Sequence, residues 1–314
     1  MVDGVVYVVD TIGTVYAIDA TAGTQLWRAE MSFGPAVPVT PLVADGVVYS
    51  LDGVQLHALD ATSGTELWTV TVENSGGGPT LAGSTLFASG WGILASVDVG
   101  GGRGVVNWTY TDQPLLDAGV TLLDAAVAGG SVLVVGPLSD GVDGSGTLIT
   151  LDGNTGAELW RVSDVDSQPV GTSVAVADGV AYVGGTGGSL GAYDAATGAV
   201  RWTADTGATV TSAPAIGGGL VIVGNADGDV VAVDAASGTE RWRYAAKDVV
   251  AAAPSIVGDT VVVASSGGHV DSLDLASGQE LWTVTAGGRP GGPPSVADGV
   301  VYVTAGQDVV AYGP

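Results

Sequence analysis

The sequence predicts an all-β chain made of a tandem array of small antiparallel sheets, and three observations carry that reading. First, the pattern Ala17-Ile-Asp19-Ala-Thr-Ala-Gly23-Thr-Gln-Leu-Trp27 returns down the chain and places tryptophans at Trp27, Trp68, Trp108, Trp160, Trp202, Trp242 and Trp282. Their spacing is 40 to 42 residues except for one interval of 52, and a fixed period of that length marks a solenoid, propeller or array. Second, short alternating runs such as Asp45-Gly-Val-Val-Tyr-Ser and Asp298-Gly-Val-Val-Tyr-Val precede each pattern. They are rich in Val and Tyr and bounded by turn formers, as strands are. Third, no segment sustains a 3.6-residue apolar period between helix caps.

Each unit reads as four strands. The first is the Pro-Ser/Ala-x-Ala/Val type, as in Ala213-Pro-Ala-Ile and Ala253-Pro-Ser-Ile. The second is the Asp-Gly-Val-Val-Tyr-Val run, the third ends at the Ala-x-Asp, and the fourth is read as ending at the tryptophan. Within the motif the Asp accepts backbone N–H bonds two or three residues on and starts a turn. The Gly four residues later supplies positive φ and closes a hairpin with a bulge. The Trp is the apolar payload. Burying roughly 200 Å² at about 25 cal/mol per Å² is worth about 5 kcal/mol as an upper bound. One four-stranded sheet cannot hide such a ring alone, whereas radial stacking hides it between blades.

Counting gives three strands before the first full unit, six units of four, and three strands after Trp282. Thirty strands sit between the 28 of seven blades and the 32 of eight, with about four per blade. The expected fold is an eight-bladed β-propeller of four-stranded antiparallel blades, forming one domain over 1–314, with incomplete first and last blades; seven blades is the alternative. The two strands lacking for eight blades would be contiguous ahead of Met1. The expectation is therefore that an upstream segment is missing and that it carried any export signal.

The pattern Ala-x-Asp-x-x-Thr/Ser-Gly-x-x-x-Trp resembles the tryptophan-docking repeat of the PQQ-type β-propeller family, and the resemblance covers essentially the whole chain. That family includes quinoprotein dehydrogenases and an outer-membrane assembly lipoprotein that is purely a scaffold. The resemblance implies a non-catalytic scaffold for a protein or small ligand, with an extracytoplasmic location. The alternative it implies is an oxidoreductase dependent on PQQ and calcium. The dehydrogenases are longer and hold the quinone and calcium with Glu, Asn and Asp, many with a vicinal cysteine pair. Here there is no Cys, and only the docking motif carries over. No cofactor is expected on the scaffold reading.

Composition limits the partners. The chain has 33 acidic residues against eight basic ones, a net charge of −25, and a single lysine, Lys247. Such a surface is the kind that keeps proteins soluble at high salt, and it excludes nucleic-acid phosphate or an anionic membrane as ready partners. There is no apolar run of spanning length. Met1-Val-Asp-Gly has neither the basic region nor the apolar core of a signal peptide.

Candidate site residues come from departures from the repeat, since irregular loops on a regular scaffold carry function. Ser89-Gly-Trp91-Gly interrupts one unit, and Pro137-Leu-Ser-Asp140-Gly-Val-Asp143-Gly-Ser145-Gly is inserted in the next. Trp91, Asp140, Asp143, Asp164 and Asp166 are expected on one rim. Asp140, Asp143 and Ser145 make an oxygen-rich loop of the kind calcium uses, without the spacing of an EF-hand; a solvated acidic turn is the ordinary alternative. Trp91, the tryptophan outside the docking set, is either an exposed binding anchor or packing for an irregular blade. Arg289 and Lys247 precede first strands, where each either orients an anion or balances nearby carboxylates. His57, on a third strand, and His269, in a turn, are not at metal-ligand spacing and are assigned no role.

Overall fold

The computed structural model describes residues 1–31, 40–73, 75–117, 119–136, 146–163, 172–297 and 299–313. They form eight antiparallel sheets in which strands pair in sequence order. The fold is all-β, an eight-bladed β-propeller. Blades 2 to 7 have four strands each, while blade 1 (5–30) and blade 8 (295–312) have three. The chain divides into two compact units, one formed by Met1–Gly141 with Leu148–Arg161, the other by Val142–Thr147 with Val162–Pro314. Blades 1 to 3 and most of blade 4 belong to the first unit, and blades 5 to 8 to the second.

Blade 6 shows how the residues dictate a blade. A three-residue first strand, Ala215–Gly217, turns through Gly218 and Gly219, both at positive φ, into Leu220–Gly224. In blades 2 and 5 the same turn is Asp-Gly, and Asp45 and Asp178 take φ near +50° ahead of their glycines, as a tight hairpin of this twist demands. The third strand, Asp229–Asp234, ends on the motif Asp. Asp234 Oδ1 accepts from the N–H of Ala236 and Ser237 and from the Ser237 hydroxyl. The fourth strand is Glu240–Ala245. It does not end at the tryptophan, as the sequence reading had it: Trp242 is its third residue, and the strand runs three residues further. The reason lies in the register, which pairs Trp242 with Ala232 and has to continue to Asp229↔Ala245 to complete the ladder.

The register also explains the motif's small residue. Ala17, Ala58, Ser96, Ala192, Ala232 and Ser272 each lie directly opposite a docking tryptophan. A larger side chain there would occupy the ring's space. Beside each of these pairs the register shifts, leaving the residue just before the tryptophan unpaired in the fourth strand, the bulge expected of the hairpin.

The cores lie between consecutive sheets. In the first unit Val15, Ala17 and Trp27 of blade 1 pack on Val48 and Leu59 of blade 2. In the second, Val230, Ala232 and Trp242 of blade 6 pack on Val261, Val263 and Leu273 of blade 7. Trp27 Nε1 donates to the Ala61 carbonyl at 2.9 Å, Trp108 to Gly153 at 3.1 Å, Trp202 to Ala235 at 3.0 Å and Trp242 to Leu275 at 2.8 Å. Each acceptor is the residue just after the motif Asp of the following blade. The following blade's glycine lies flat beneath the ring: a Cβ on Gly64, Gly156, Gly238 or Gly278 would come within 2.7 Å of indole carbons.

One short helix, Gln113–Asp117, breaks the all-strand expectation. Asp112 caps it, its Oδ1 accepting from the Leu115 N–H at 3.1 Å, and Leu115 is buried. At five residues it is too short to show a periodic signal.

Candidate functional site

Blade 3 (75–111) is where the repeat gives way. Its first strand, Ser75–Ala82, is long and carries three consecutive glycines, with a register shift between Ser75 and Pro79. The glycines are there because neighbours come close: a Cβ on Gly77 would lie 2.2 Å from Ser89 Oγ and 3.1 Å from Asp124 Oδ1. The Gly78 N–H donates to Asp124.

The hairpin Gly90-Trp91-Gly92 is clamped to the segment that follows blade 3. Gly92 N–H donates to Val120, Asp112 N–H to Gly92 and Leu122 N–H to Gly90, at 2.7 to 2.8 Å. Trp91 bridges to Thr121. Gly92 has φ +60°, and a Cβ there would strike the Leu116 backbone at 2.5 Å. The consequence is a fixed hairpin whose indole is 51 % exposed, while Trp27 and Trp242 are below 10 %. Of the two sequence readings, the exposed ring is what the geometry presents.

Arg289 lies in the connection into blade 8 and is exposed. It lines a small recess with Ala251, Ala252, Ala264 and Pro290, and among the described residues it has no carboxylate partner. Lys247 reaches the Thr283 hydroxyl at 3.5 Å. His269 opens the third strand of blade 7 (His269–Asp274) rather than lying in a turn. Asp140, Asp143, Ser145, Asp164 and Asp166 fall outside the described residues.

Two polar networks escaped the sequence reading. His57 is 1 % exposed, with Nε2 2.9 Å from Asp52 Oδ2 and Nδ1 3.0 Å from Glu66 Oε2. Its acids are five and nine residues away, across two hairpins, a spacing visible only once the register is known. Arg161 bridges Asp112 at 2.7 Å and Glu158 at 2.8 Å and donates to the Tyr110 hydroxyl. The Arg161 hydrogen bond holds Glu158 below the usual carboxylate range; burial, with the bond to Glu158, pushes the Tyr110 phenol up.

Calcium with a quinone requires converging oxygen donors. Among the described residues no group of three or more His, Asp or Glu side chains is placed to hold a metal ion. The described residues therefore do not form such a cage, and no step through those groups follows. No described helix is long and apolar enough to cross a membrane.

Blades joined by an indole laid on the next blade's glycine, at Gly64, Gly104 and Gly156 in the first unit and at Gly238 and Gly278 in the second, define a PQQ-type β-propeller. The sequence matches the family of the outer membrane protein assembly factor BamB over residues 11–144 and again over 144–313, and the chain belongs to that family. Among curated proteins none matches. Solved structures share the fold. The computationally designed Ika8 protein superposes with a TM-score of 0.81 at 17% identity, covering 100% of this chain and 94% of the other. BamB from Moraxella catarrhalis gives 0.77 at 21%, covering 99% and 91%. The quinohemoprotein alcohol dehydrogenase from Comamonas testosteroni gives 0.75 at 14%, covering 97% and 69%.

Proposed function

We propose that this protein is a non-catalytic scaffold that holds a protein partner, in keeping with the assembly role in its family's name. The observation that carries this reading is Trp91. Seven tryptophans stand at the repeat positions, while the eighth stands half in solvent on a hairpin fixed by three backbone hydrogen bonds. Rigid, exposed aromatic anchors dominate protein interfaces. The repeat's own residues are occupied in holding blades together.

The test is co-purification of partners from the source organism with the wild-type chain and with Trp91→Ala. The variant is expected to keep its stability and lose at least tenfold of the retained partner. Undiminished retention by a folded variant would remove Trp91 from the proposal. Equilibrium dialysis with PQQ and calcium is the second arm, and saturable binding there would replace the scaffold reading with the oxidoreductase one.

A further inference from the structure

Blades 6 and 7 differ where the chain enters the first strand. In blade 6, Ser212 Oγ accepts from the Gly224 N–H at 2.7 Å, and the Thr211 hydroxyl donates to the Val250 carbonyl at 2.7 Å. Blade 7 has Ala251 and Ala252 in those places. The counterpart of Gly224 is Ala264, each being the last residue of a second strand. The counterpart of Val250 is Pro290: Ser266 N–H donates to the Val249 carbonyl as Gly306 N–H does to that of Arg289. Both hydroxyls are thus absent. Ala252 offers the Ala264 N–H no such acceptor, and a recess of about 30 Å³ stands in their stead. That exceeds the roughly 10–15 Å³ that a single water needs.

Arg289 stands at its mouth. Arg28, Arg161, Arg201, Arg241 and Arg243 all make ion pairs. Arg289, like the exposed Arg103, makes none among the described residues, although acids outnumber bases 33 to eight. The Ser266 hydroxyl is taken by Asp248 at 3.1 Å and forms wall, not donor.

We propose that this recess is a subsite for one carboxylate, with Arg289 giving charge-assisted hydrogen bonds and the Ala264 N–H a neutral one. The inference rests on the scaffold reading only for who presents the carboxylate; the subsite itself is testable on the isolated chain. The experiment is an amide NMR titration of the ¹⁵N-labelled protein at fixed ionic strength with acetate, N-acetyltriglycine and the neutral N-acetyltriglycine amide. Saturable shifts at Ala264, Ser265 and the Arg289 Nε–H are expected with the two acids alone. Tenfold tighter binding of the peptide acid assigns a polypeptide terminus as the source, and equal binding assigns a small free carboxylate. Arg289→Gln is expected to weaken binding at least tenfold. The double variant Ala251→Thr/Ala252→Ser, which rebuilds the blade 6 arrangement, is expected to abolish it while raising Tm. Equal shifts with the amide, no shifts with either acid, or full binding by either folded variant would overturn the subsite. If the acids bind while the Trp91→Ala chain keeps its partner, the subsite stands and Trp91 leaves the scaffold reading; if PQQ and calcium bind saturably, the scaffold reading falls and the subsite stands.

Discussion

A docking glycine has two jobs at once, and no other residue does both. Gly238 sits at φ +72°, and a Cβ there would lie 2.6 Å from Trp202 Cε3. Left-handed backbone costs an L-residue about 1 to 2 kcal/mol, and overpacking against a held ring adds about 1 to 3 kcal/mol. Gly238→Ala is expected to destabilise the chain by about 3 kcal/mol, measured by denaturant titration. The near-ultraviolet circular dichroism of Trp202 should change with it. At Gly23, where nothing lies within 4 Å of the Cβ position, the same substitution should cost only the backbone share. The Ser or Thr ahead of the glycine is equally local: Ser63, Thr155, Thr197, Ser237 and Ser277 each donate a hydroxyl to their motif Asp.

The third residue of the third strand is different in each of blades 1 to 7. It is Tyr16, His57, Ala95, Ile149, Gly191, Val231 and Asp271 in blades 1 to 7. Buried polar occupants need partners. His57 has two. Asp271, fully buried, receives the Thr283 hydroxyl on Oδ1, and its Oδ2 has no hydrogen-bond partner. Blade 6 carries Val231 at that place, so valine fits the strand. An unsatisfied buried polar group costs about 1 to 3 kcal/mol, which an apolar replacement of similar size removes. Asp271→Val is therefore expected to raise the denaturation midpoint. His57→Leu is expected to lower it, because it strands the buried Asp52 carboxylate. Opposite signs at equivalent positions are a test of satisfaction, not of size.

For the molecule as a whole, charge sets the response to solvent. A net charge of −25 repels itself, and salt screens that repulsion over about 10 Å at 0.1 M. Thermal stability is expected to rise steadily as salt is raised from low ionic strength; a flat or falling Tm would contradict this. Acid acts through the motif aspartates. The Arg241 hydrogen bond, with Ser237, lowers Asp234 to about 2 from an ordinary 3.8. Asp60, Asp152, Asp194 and Asp274 are lowered too, by their Ser, Thr or Arg donors. A depressed folded pKa means the unfolded chain takes up protons first. The stabilisation is thus complete above about pH 4 and is lost as pH falls towards about 2. Asp234→Asn should make the acid limb of the stability curve shallower, read by unfolding between pH 4 and 2.

The sequence by itself determined the all-β fold, the eight blades and the place of tryptophans that pack blade on blade, such as Trp27 and Trp242. Those follow from short-range rules repeated many times: an Asx turn, a positive-φ glycine and a fixed distance from one indole to the next. It also marked Trp91 as part of a departure from the repeat and Arg289 as a cation set just ahead of a first strand. It left open whether the Trp91 ring is covered, because exposure depends on a segment some thirty residues away that clamps the hairpin without capping the ring. It gave no sign of the His57 and Arg161 networks, or of the hollow beside Ala252. Those depend on which side chains from separate strands and connections meet across a ladder or between two sheets, and only the tertiary structure decides that.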